Sequence, residues 1–141
     1  MELAVLGTDE YFGDYEMHAG VFEGSAVKRV DLPPTLKRIE YSAFKKCKNL
    51  TSIELPQQLE SIGKRSFFGT DLTQILFPRS LKSIGEAAFY GSKLVSIDFQ
   101  RNSSLRTIEN NAFGSTSLQY KVWRSRLPQG ADIARYAFAS S

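Results

Sequence analysis

The chain has 141 residues, 42% hydrophobic and 12% aromatic, and a formal net charge of +3, which amounts to one domain with enough apolar material for a core. Its lone cysteine, Cys47, excludes an internal disulfide and any multi-cysteine metal cluster. No run approaches the roughly 18 apolar residues needed to cross a bilayer, and "MELAVLGTDEYFGDYE" lacks the basic flank and apolar stretch of a secretory leader, so neither membrane insertion nor a signal peptide is expected.

Residues 1–14 are read as an N-terminal cap or degenerate strand, and repetition begins after them. A degenerate "MHAGVF" starts at Met17, followed by "LKRIEYSAF" at Leu36, "LESIGKRSF" at Leu59, "LKSIGEAAF" at Leu81, "LRTIENNAF" at Leu105 and a final "IARYAF" at Ile133. Between these lies a second pattern, LxxIxL: "VKRVDLP" at Val27, "LTSIELP" at Leu50, "LTQILFP" at Leu72 and "LVSIDFQ" at Leu94. The recurrence every 22 to 25 residues marks a solenoid, in which each unit buries its apolar face only against its neighbours. Repeats span residues 15–127, and 128–141 form a partial last repeat or C-terminal cap. In "SLQYKVWRSRL" the pattern departs: Lys121 falls where the strand isoleucine belongs, and Leu118, Tyr120 and Val122 alternate instead, so either the register slips there or this strand begins a cap. Trp123 and Tyr120 are read as a cap packed on the last coil.

The LxxIxL segment alternates, Ile53 and Leu55 facing one way and Ser52 and Glu54 the other, so it predicts a half-buried strand that lays each turn on the next. Pro33, Pro56 and Pro78 end it, having no N–H to give a ladder. The LxxI segment before each phenylalanine predicts a brief extended piece running into one helical or 3₁₀ turn. Phe22, Phe44, Phe67, Phe89, Phe113 and Phe138 then stack as a spine, each preceded by a residue of modest size. Gly24, Gly69 and Gly91, two residues past the phenylalanine, predict a positive φ.

The text L-x-x-I-x-x-x-A-F-x-x-C/S-x-x-L-x-x-I-x-L-P resembles the BspA-like class of leucine-rich repeats over about residues 15 to 138, with Cys47 at that family's repeat cysteine and Thr70 and Ser92 at the comparable place. The resemblance implies a right-handed, mainly β solenoid of about five to six coils with short helical or 3₁₀ turns. It implies binding of other macromolecules, commonly within surface adhesins, with no catalytic residue and no cofactor. The compartment stays open: the resemblance leans to the cell surface or a secreted protein, while intracellular members exist and no leader is seen. The sequons at Asn49 and Asn102 would accept sugar only in a secreted chain.

Chemistry-bearing side chains are sparse. His18 is the sole histidine, with no partner at a recognised spacing, and Cys47 reads as a small apolar filler despite Lys45, Lys46 and Lys48 nearby. The same lysines with Arg124 and Arg126 are too few for a nucleic-acid face. Stacked coils present one residue per turn at each outward position, which suits recognition rather than catalysis. The expected function is therefore a non-catalytic module for protein recognition; the alternative is a structural spacer or self-assembly segment of a longer repeat protein, and an open last coil predicts end-to-end association. Alignment on LxxIxL puts Asp31, Glu54, Leu76 and Asp98 in one outward column and Arg29, Ser52, Gln74 and Ser96 in the next. These eight are the expected contacts, with neighbouring acids that repel unless a cation lies across them.

Overall fold

The computed structural model describes residues 16–118 and 127–139. The expected cap at 1–14 and the altered register around Lys121, Tyr120, Val122 and Trp123, with Arg124 and Arg126, lie outside these residues.

The repeats fold as a parallel β-solenoid. Six two-residue strands come from the LxxI segments: β1 (Glu16–Met17), β2 (Arg38–Ile39), β3 (Ser61–Ile62), β5 (Ser83–Ile84), β7 (Thr107–Ile108) and β8 (Asp132–Ile133). They form one sheet in the order β1-β2-β3-β5-β7-β8, in register through Met17, Ile39, Ile62, Ile84, Ile108 and Ile133. We number the coils 1 to 6 by these residues. Two longer strands, β4 (Gln74–Phe77) and β6 (Ser96–Phe99), pair with each other on the opposite side of coils 3 and 4.

This reverses the expected division of labour. LxxIxL was to carry the continuous ladder, yet LxxI carries it, and LxxIxL pairs only between coils 3 and 4. Alternation reports which side chains face inward; it does not report whether the next backbone is close enough to bond. In coils 3 and 4 the last inward position holds Phe77 and Phe99, whose rings meet at 5.0 Å and draw the two strands together. Coils 1 and 2 have Leu32 and Leu55 there and no ladder. Pro78 ends β4 as expected, whereas Pro33 and Pro56 end extended but unpaired segments.

The expected helical turn is also replaced, since no helix of either kind occurs among the described residues. The first five LxxI strands run instead into linked turns with two left-handed residues, three and seven positions after the ladder residue: Gly20 and Gly24, Ser42 and Lys46, Arg65 and Gly69, Ala87 and Gly91, Asn111 and Ser115. Left-handed backbone at that interval cannot propagate a helix. Amides alternate between a turn bond and a bond to the next coil: Ala43 N–H donates to Glu40 O (3.2 Å), Phe44 N–H to Ser66 O (2.7 Å), Lys45 N–H to Ser42 O (3.2 Å) and Lys46 N–H to Phe68 O (2.7 Å). Gly24, Gly69 and Gly91 have the expected positive φ; the second left-handed position, filled mostly by other residue types, was not anticipated.

Inside, the phenylalanine spine forms as expected. Centroids from Phe22 through Phe44, Phe67, Phe89 and Phe113 to Phe138 are 5.0–5.5 Å apart, with planes 2–14° from parallel. Leu36, Leu59 and Leu81 on one side and Leu50, Leu72 and Leu94 on the other are fully buried and close the narrow core.

Candidate recognition face

The eight residues expected to make contacts converge on one open groove. A depression of about 790 Å³ runs over the LxxIxL side of coils 1 to 4, lined by Arg29, Asp31, Ser52, Glu54, Gln74, Leu76, Ser96 and Asp98, together with Lys28 and the inward-pointing Val30, Ile53 and Ile75. A second depression of about 420 Å³ shares Val30, Asp31 and Glu54 and continues to Pro34 and Pro56. Strand alternation is the cause: every second residue leaves the core, and the parallel register of Gln74 with Ser96 and Leu76 with Asp98 lines these residues up in columns.

The groove has an apolar floor and a mostly polar rim, with Leu76 the one apolar residue among its outward positions. Leu76 is 52% exposed between the carboxylates of Glu54 and Asp98 in its column. The expected repulsion between Asp31 and Glu54 is relieved internally, because Arg29 Nη2 pairs with Asp31 Oδ1 at 3.3 Å. Among the described lining residues, Lys28 and Arg29 of coil 1 are cationic and Asp31, Glu54 and Asp98 are acidic. The backbone beneath is partly open as well. Among the described residues, no backbone hydrogen bond joins 28–32 to 52–55, or 52–55 to 74–77, the nearest tie being Thr73 N–H to Thr51 O at 3.4 Å.

Elsewhere the chemical inventory is structural. Cys47 is fully buried, its Sγ donates to Phe22 O at 2.9 Å, and burial pushes the thiol up to about 11, which removes the thiolate a nucleophile needs. It belongs to a polar ladder in which Thr70 Oγ1 donates to Phe67 O (3.0 Å) and Thr116 Oγ1 to Phe113 O (2.9 Å). His18 is exposed just after β1, and no three histidine, cysteine or acidic side chains converge on a metal-sized space among the described residues. Lys45 is engaged by Glu23 at 3.6 Å and lies over the Phe68 ring, which in turn stacks on Tyr90 at 5.3 Å. This outer column of Lys45, Phe68 and Tyr90 escaped the sequence reading; its signal is the recurring position just after each spine phenylalanine. Among the described residues, no helix is long and apolar enough to cross a membrane.

Comparison with known proteins agrees with this geometry. The model of the BspA-type leucine-rich repeat region matches residues 16–141 in six copies. The pneumococcal vaccine antigen PcpA superposes with a TM-score of 0.70 at 27% identity, over 81% of this chain and 28% of PcpA. A leucine-rich repeat protein of T. pallidum gives 0.62 at 20% identity, over 98% of this chain and 80% of that one. A leucine-rich cell surface protein of Faecalibacterium prausnitzii gives 0.57 at 18%, over 99% and 45%. This chain thus spans less than a third of PcpA. No curated protein matches it.

Proposed function

Because the chain belongs to the BspA-type leucine-rich-repeat family, we propose that it is a non-catalytic recognition module that binds another protein through the LxxIxL face. The observation that carries the proposal is the groove itself: one open depression lined by the outward residues of four successive coils, with exposed Leu76 at its middle. An open, regular surface of this kind offers many shallow contacts rather than an enclosed reaction site. We further propose a place in a surface protein. In support, PcpA is described as a vaccine antigen, and the F. prausnitzii neighbour as a cell surface protein.

The test is capture of partners from extracts of the source cells with the wild-type chain and with the double variant Glu54→Lys, Asp98→Lys. A protein retained by the first and lost by the second supports the proposal, provided thermal midpoints agree. Retention undiminished by the double variant in low salt overturns the assignment to this face.

A further inference from the structure

We infer that the slot between the LxxIxL segments of coils 1 and 2 takes an aromatic side chain of the partner, and that Glu54 at its rim takes a basic residue beside that ring. This rests on the recognition reading above and names its partner class, a peptide segment in which an aromatic residue adjoins arginine or lysine.

The structure supplies its own template for the aromatic half. Each LxxIxL segment ends on an inward side chain. In coils 3 and 4 these are Phe77 and Phe99, whose rings meet at 5.0 Å, with Phe77 fully buried. In coils 1 and 2 the equivalents are Leu32 and Leu55, and they line the depression of about 420 Å³, flanked by Pro34 and Pro56. The space that a pair of rings closes further along the solenoid is therefore left open here. A ring entering from outside buries about 150–250 Å² and has only two torsions to fix, which makes it the most economical occupant of an apolar slot.

Proline explains why the slot does not close on itself. Between coils 3 and 4 the ladder runs one step past the rings, Gln100 N–H donating to Phe77 O at 3.0 Å. The equivalent donor to Leu32 O would be Pro56, and to Leu55 O it would be Pro78, neither of which has an N–H. Leu32 O and Leu55 O accordingly accept no hydrogen bond among the described residues. The rung that would draw these segments together is missing.

The rim selects the neighbouring residue. Glu54 is exposed and makes no ion pair or hydrogen bond with another described residue, whereas Asp31 is engaged by Arg29 at 3.3 Å. Gln57 and Gln58 complete the rim. With the two unbonded main-chain carbonyls, the slot is rich in acceptors, and a cationic side chain brings several donors at once. An exposed carboxylate of this kind orients the partner, while the ring supplies most of the affinity.

The experiment uses fluorescein-labelled decapeptides of glycine and serine carrying Arg-Phe-Arg at the centre, with Arg-Ala-Arg and Glu-Phe-Glu as controls. They are titrated by anisotropy in low salt against the full chain, Glu54→Lys, Leu32→Phe and Leu32→Phe/Leu55→Phe, which reproduces the ring pair of coils 3 and 4. Circular dichroism checks folding, and if the double phenylalanine variant does not fold, Leu32→Phe and Glu54→Lys carry the test. The Arg-Phe-Arg peptide is expected to bind at least about tenfold tighter than either control, with a loss of similar size in the folded phenylalanine variants and in Glu54→Lys, which gains the Glu-Phe-Glu peptide instead. Equal affinity of the three peptides, no binding by any of them, or wild-type affinity in a folded phenylalanine variant overturns the inference. Self-association that a phenylalanine variant abolishes, with no peptide bound, assigns the slot to a second copy and overturns it too. If the phenylalanine variants still capture a cellular partner that Glu54→Lys/Asp98→Lys loses, this inference falls and the recognition reading stands. If that partner is retained by all of them, both fall.

Discussion

Phe67 and Phe89 stack with ring centroids 5.1 Å apart and planes 3° from parallel, each fully buried between two other members of the spine. Neighbours on both sides leave no room for the lattice to collapse when a ring is removed. Phe67→Ala or Phe89→Ala is expected to cost about 3–5 kcal/mol, near the whole stability of a small domain. Phe138 contacts Phe113 at 5.0 Å and is only partly buried, so Phe138→Ala should cost clearly less. Urea unfolding of the three variants checks this, and equal losses would contradict a core built by stacking.

Cys47 makes a pH prediction whose sign is fixed by burial. Its folded pKa is raised from 9.0 to about 11, so the neutral thiol is the form the folded chain prefers. The associated stability is complete below the unfolded value and is lost as pH rises towards the folded one, from about 9 to 11. Unfolding free energy should fall over that range more steeply in the wild type than in Cys47→Thr, which places at this step the residue already found at Thr70 and Thr116. At neutral pH a thiol reagent should label Cys47 only as the chain unfolds.

Left-handed backbone carries the third prediction. Lys46 has φ +59 at the position where Gly24, Gly69 and Gly91 stand in other coils. A side chain there costs roughly 1 kcal/mol, so Lys46→Gly should raise the unfolding free energy by about 0.5–1 kcal/mol. Gly69→Ala tests the converse. A Cβ on Gly69 meets nothing closer than Lys48 Nζ at 3.6 Å, so any loss, expected near 1 kcal/mol, reflects φ rather than crowding.

What the sequence made legible, and what it hid, divides along physical lines. The spine and buried leucine columns were readable because burial constrains residue type, and the constraint recurs in every coil. The columns of the groove were readable because alternation fixes which side chains leave the core; the pairing of Arg29 with Asp31 follows from the same rule, both being outward neighbours on one LxxIxL segment. The choice of ladder was hidden, because LxxI and LxxIxL both signal facing, and neither signals distance between backbones. The left-handed positions at Ser42, Arg65, Ala87 and Asn111 were hidden too, since four residue types share one conformation imposed by hydrogen bonds to the next coil, with only Gly20 to hint at it.

The small-residue column beside the spine holds the last prediction. Val21, Ala43, Ala88, Ala112 and Ala137 occupy it in five coils, and Ser66 in the sixth. Ser66 is fully buried and its Oγ has no hydrogen-bond partner among the described residues, so folding strips a hydroxyl of water without replacement. Alanine fills the same space, as its neighbours in the column demonstrate. Ser66→Ala should therefore stabilise the chain by about 1 kcal/mol, against the usual direction of a core truncation. Ser92 is the instructive contrast. Its Oγ is also buried and unpaired, but it stands in the polar ladder where Thr70 and Thr116 each reach the carbonyl three residues back. Ser92→Thr supplies that donor in the orientation its neighbours use and adds a methyl group, whereas Ser92→Ala only removes the hydroxyl. Thermal unfolding should rank Ser66→Ala above wild type and Ser92→Thr above Ser92→Ala. A loss of stability in Ser66→Ala would mean that the hydroxyl is satisfied in solution.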